Sequence, residues 1–70
     1  MFIVSYIRHN GIVSVQQFVN RADAMSHLQY VIRTSIDRVA LALIHDTDEN
    51  FSQRYSVAWD GELTLIREND

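Results

Sequence analysis

The chain has 70 residues, of which 47% are hydrophobic and 21% charged, with six arginines, no lysine, nine carboxylates, three histidines and a net charge of −3. A chain this short holds one domain with a small core, and this composition lies far from the disordered regime. Six arginines set singly among nine acids argue against nucleic acid as the primary ligand, because phosphate binding rests on clustered cations.

With no cysteine there is no disulfide and no thiolate zinc site, so oligomerisation or a bound partner is the staple left to so small a domain. The absence of lysine reads as codon usage favouring arginine. The apolar run from Phe2 to Ile7 is too short for a secretory signal and lacks a cationic flank. No window approaches the roughly 18 apolar residues of a membrane span. The expectation is a soluble, cytoplasmic protein.

In chain order, residues 2–8 and 12–19 are two β-branched, aromatic-rich runs separated by His9-Asn10-Gly11. Asn-Gly between such runs predicts an antiparallel hairpin with a type I′ turn. Asn20 is a suitable helix N-cap, Asp23 suits the positive end of the helix dipole, and Met25, Leu28, Ile32 and Ile36 recur at helical spacing with Ala24 and Val31 beside them. The pattern predicts a helix over 21–35, with Arg33 and Arg38 suiting its C-terminal end.

Residues 39–45 (VALALIH) form a continuous apolar run that predicts a strand buried on both faces, centred on Leu41. A polar loop, Asp46 to Asn50, leads to residues 53–59, where Tyr55, Val57 and Trp59 alternate with Arg54, Ser56 and Ala58. Asp60-Gly61 predicts a second tight turn before the last strand at 62–68.

The order is therefore β-β-α-β-β-β. Strands one and three, apolar on both sides, belong together at the centre, and the helix crosses between strands two and three with right-handed connectivity. The predicted architecture is a two-layer α+β domain, a five-stranded antiparallel sheet of order 2-1-3-4-5 with one helix on one face. A helix of about 15 residues is about 22 Å long and covers two or three strands. The face carrying Ile3 and Ile7 is then either curved shut around the helix or left as a flat apolar surface for a dimer or another partner.

Sites for chemistry are sparse. His9 and His45 fall at opposite ends of the predicted sheet, and His27 stands four residues after Asp23 as an ordinary acid–base surface pair on the helix. No metal site is expected. The 46–50 loop has acids at alternate positions, but Phe51 and Val57 stand where a calcium loop needs glycine and glutamate. No nucleophile elbow is present, and both glycines are used in hairpin turns, which leaves no phosphate loop. Neither a cofactor nor an enzymatic activity is expected.

Charge is more informative. The topology gathers Asp23, Asp46, Asp48, Glu49, Glu68 and Asp70 at one end, with Arg21 and Arg67 as nearby cations. This is either a solvated cluster that keeps a small protein soluble or an acidic pole that docks onto a basic protein surface. Phe51, Tyr55 and Trp59 are then either aromatic anchors of that surface or the core of the fourth strand.

The Asn10-Gly11 hairpin, the helix capped at Asn20, the strands around Leu41, Val57 and Leu65, and the Asp60-Gly61 turn resemble in layout some small phage-encoded anti-CRISPR inhibitors. The resemblance implies a non-catalytic protein in the host bacterial cytoplasm that blocks a CRISPR–Cas complex by occupying a surface. The resemblance carries over no binding residues; the charge map supplies them, and a larger protein or ribonucleoprotein with a basic surface would be met through Asp46, Asp48, Glu49, Asp23, Glu68 and Phe51, without direct contact to nucleic acid or membrane. The alternative is a structural or accessory subunit that forms an obligate homodimer through the uncovered sheet face.

Overall fold

The computed structural model describes residues 1–35 and 38–68. The elements are β1 (Phe2–Arg8), β2 (Val13–Phe18), α1 (Arg21–Thr34), β3 (Val39–Asp46), β4 (Phe51–Val57) and β5 (Leu63–Glu68). They form an open antiparallel sheet of order β2-β1-β3-β4-β5 with α1 against one face, the expected α+β architecture. Ile36 of the predicted helix stripe, Asp37, Asn69 and Asp70 of the acidic group lie outside the described residues.

Helix α1 starts where its cap allows. Asn20 is extended (φ −127°, ψ 159°), its Oδ1 accepts from Asp23 N–H at 2.8 Å, and its Nδ2 donates to the Asp23 carboxylate at 3.1 Å. Each end of that box satisfies a polar group the first turn would otherwise leave free. Ala24, Leu28 and Val31 are buried on the sheet-facing stripe, and Met25 and Ile32 pack at its margin.

Beneath the helix the sheet contributes Val4 and Tyr6 from β1 and Val39, Ala42 and Ile44 from β3. Register explains the set. Val4 stands opposite Ile44 and Tyr6 opposite Ala42, and directly opposed residues share a face. Leu28, Val4 and Ile44 are the largest side chains sealed completely.

Both outer hairpins turn by one device, and it is not the type I′ turn. Gly11 N–H donates to Arg8 O and Arg8 N–H to Ile12 O; Gly61 N–H donates to Ala58 O and Ala58 N–H to Glu62 O. In each, only the glycine has positive φ, at +90°, and the preceding Asn10 or Asp60 accepts from the backbone N–H two residues on at 3.0 Å. These are three-residue loops closed by a glycine bulge. Asn10 reaches the turn through its side-chain bond and has no need of a left-handed backbone.

The structure also corrects two strand expectations. β3 is central but not buried on both faces, since Leu41 remains 42% exposed. β4 begins at Phe51 and ends at Val57, so Trp59 sits in the hairpin loop, 84% exposed, with the Arg38 guanidinium 3.3 Å above its ring. Trp59 therefore does not continue the Tyr55–Val57 face.

Candidate functional site

The face of the sheet turned away from α1 is open. Its rows follow from the ladder: Val13, Ile7, Leu41, Ser56 and Thr64 in one, Val15, Ser5, Leu43 and Arg54 in the next, Gln17, Ile3, His45 and Ser52 in the third. Ile7, Val13, Val15, Leu41 and Leu43 thus make an apolar field around Ser5 of β1, with Ile3 at its margin between Gln17 and His45. Val13 and Val15 are 60% exposed, while Ile3, Ile7 and Leu43 are half-buried. Of the two fates open to this face, the sheet has not curved shut.

Residues 13–16 of β2 carry an inverted pattern, which Gln17 and Phe18 reverse. Ser14 and Gln16 stand opposite Tyr6 and Val4 and so lie on the helix side, whereas Val13 and Val15 lie on the open side. An edge strand that met only water on that face would favour the opposite arrangement. Ser14 is used structurally: its hydroxyl accepts from Arg8 Nη1 at 3.2 Å, while Arg8 Nε donates to Ser35 at 3.0 Å and the guanidinium lies 5.1 Å from the Tyr6 ring centroid.

Arg54 and Arg67 are direct cross-strand neighbours at the β4–β5 end of the open face. Between Arg54 and Tyr55 the β4–β5 register shifts, with Ile66 as the extra, exposed residue. His45 Nδ1 lies 2.6 Å from Ser52 Oγ, a pair directly opposed across the β3–β4 ladder.

The acidic end has a different construction. Asp46 Oδ1 accepts from Asp48 N–H at 3.0 Å and Glu49 N–H at 3.4 Å, and Asn50 closes the turn with φ 51°. Asp48 lies 3.0 Å from the Met1 amine, and Thr47 bonds Met1 O through both N–H and hydroxyl at 3.0 Å. Phe51 is half-buried opposite Asp46, and Glu68 stands opposite Gln53. Gln53 and Tyr55 accept from Arg21 Nη2, which ties the helix start to β4.

Asp46, Asp48 and Glu49 therefore share one loop. However, Asp46 serves as a turn acceptor, Asp48 faces a cation and Asp23 belongs to the helix cap; Glu49 and Glu68 remain exposed.

His27 departs from expectation. Its ring packs 5.1 Å from Phe18 and 6.4 Å from Tyr6 by centroid, and its buried Nε2 has no hydrogen-bond partner among the described residues. It is a wedge between α1 and the sheet, not the surface partner of Asp23.

Beside α1, an open groove of about 860 Å³ runs between its C-terminal half and the β4–β5 hairpin. Met25, Ile32, Tyr55, Val57 and Leu63 line its floor, and Arg38 and Trp59 form one rim. Among the described residues no three His, Asp or Glu side chains converge as a cation cluster, and no helix is long and apolar enough to cross a membrane.

The open-face residues Val13, Val15, Leu41 and Leu43 were absent from the charge-based candidates. Their signal was available in the period of β2, where valines alternate with serine and glutamine. No protein-family model matches this chain, and no curated protein or solved structure is similar enough to serve as a relative.

Proposed function

We propose that this protein is a non-catalytic protein-binding module whose contact surface is the open face of its sheet. The observation that carries the reading is the apolar field on the face away from α1, in which Val13, Val15 and Leu41 are exposed and Ile3, Ile7 and Leu43 half-buried, while Ser14 and Gln16 of β2 lie on the helix side. Contiguous exposed apolar surface on a small chain favours an interaction role. The acidic loop at one end of the field would form its charged rim, with Glu49 and Glu68 the carboxylates left to meet a basic partner.

In its most specific form the module is a phage-type inhibitor that blocks a CRISPR–Cas complex, a version supported by the resemblance of layout and by the acidic end. The second reading, an accessory subunit that dimerises through the uncovered face, draws on the same apolar field.

The test is capture from a bacterial lysate by the wild-type chain and two variants. Leu41→Arg with Leu43→Ser removes the field; Asp46→Arg with Asp48→Arg and Glu49→Arg reverses the rim. The field variant is expected to lose the captured protein; wild-type capture should weaken as salt rises, whereas the rim variant should capture less at low salt and lose nothing further as salt screens its repulsion. Capture by both folded variants at the wild-type level would reject the reading.

A further inference from the structure

The two edges of the sheet are protected very differently. β5 carries the register shift at Ile66, the charges Arg67 and Glu68, and Glu62 just before it. Bulges and charges are how native sheets blunt a free edge. β2 has neither. From Gly11 to Asn20 the chain has no charged residue and no proline, and the β1–β2 register runs without interruption from Phe2–Phe18 to Ile7–Val13. Ile12, Val13, Val15 and Val19 all stand exposed along it.

The hydrogen-bonding groups of that edge can be placed. The Arg8 N–H to Ile12 O bond starts the β1–β2 ladder. Antiparallel alternation then turns the groups of Ser14, Gln16 and Phe18 toward β1 and those of Val13, Val15 and Gln17 outward. We infer that β2 is a self-pairing edge, which joins two copies of this chain antiparallel about a two-fold axis at Val15 into one ten-stranded sheet.

The register follows from the groups on offer. With Val15 opposite Val15 of the second copy, Val13 falls opposite Gln17, and every outward N–H and C=O of these three residues meets its counterpart. A two-fold contact must be self-complementary. A strand without charge meets no like charge when paired with itself, although each chain carries −3.

The axis also reverses one copy relative to the other. The acidic loops, at the Phe2–Phe18 end of each copy, come to lie at opposite ends of the double sheet. Both open faces stay on one side, so the two valine rows meet and the apolar fields become one.

This inference rests on the protein-binding reading and names one partner for it, a second copy. Pairing one strand of about 20 Å buries less than a standard interface, so the dimer should be reversible and its dissociation constant micromolar or weaker.

Sedimentation equilibrium of the full chain up to about 500 µM reads this directly. Wild type is expected to approach dimer mass with rising concentration. Val15→Pro should stay monomeric with an unchanged far-ultraviolet spectrum, because it removes only an outward N–H, which an edge strand tolerates. Val15→Lys, which sets two ammonium groups across the axis, should also stay monomeric and carries the test should the proline variant not fold. Amide exchange should slow with concentration at Val13, Val15 and Gln17 and not at Ser14 or Gln16.

A wild-type chain that remains monomeric at the highest concentration would overturn self-pairing. So would a folded Val15→Lys that dimerises like wild type. Lysate capture that persists in either case would leave the protein-binding reading standing without it.

Discussion

The two faces of this sheet are built from the same residue types and meet opposite fates. Val4, Tyr6, Ala42 and Ile44 lie under α1 and are sealed; one residue away along the same strands, Ile7 and Leu43 are only half-buried and Leu41 is exposed. The difference is coverage alone. One helix of 14 residues spans the width of a few strands, and the chain supplies no second layer among the described residues. Apolar side chains on the two faces therefore contribute unequally to fold stability.

Truncation should separate the faces most sharply. Leu28→Ala and Ile44→Ala remove fully buried side chains and should each cost about 2–5 kcal/mol, enough to unfold a domain this small. Leu41→Ala, equally central in the sheet order, should cost about 1 kcal/mol or less, because its side chain is already partly in water. Chemical denaturation of the three variants checks this, and equal losses would mean that the open face is covered in solution.

The two hairpin turns offer a smaller contrast. Gly11→Ala and Gly61→Ala both force alanine to φ +90°, at about 1 kcal/mol each. At Gly61 the new Cβ would also meet Ile32 Cγ2 at 3.2 Å, whereas nothing lies within 4 Å at Gly11. Thermal melts should rank Gly61→Ala as the more destabilised, and a reversed order would mean that the β4–β5 hairpin does not rest on α1.

Asn20→Ala should cost about 1 kcal/mol by removing the cap. His27→Phe should gain up to about 1 kcal/mol, since it keeps the ring against Phe18 and removes an unsatisfied nitrogen from the helix-covered side. A loss instead would show that Nε2 has a partner in solution.

On the open face Arg54→Glu should gain a few tenths of a kcal/mol by turning a like-charge cross-strand pair with Arg67 into an opposite one. That gain should shrink with salt.

Much of the architecture was legible before the fold. The N-cap at Asn20, the helical stripe through Leu28, the hairpins at Asn10-Gly11 and Asp60-Gly61 and the sheet order all rest on local pattern plus connectivity. Less legible were the environments of single side chains. His27 at i+4 from Asp23 reads as a surface pair, yet the roll of α1 on the sheet turns its ring onto Phe18. The acids of the 46–50 loop were visible as charges, but their occupation by turn N–H groups and the Met1 amine depends on how β1 and β3 end side by side.

The sequence by itself determined the elements and their neighbours, because period, capping and turn chemistry act over a few residues and connectivity leaves few topologies. Only the tertiary structure decided which face of each strand the helix would cover. That choice depends on where one short helix comes to rest across five strands, and β3 shows it: a run apolar on both sides, with Ala42 and Ile44 sealed and Leu41 facing water.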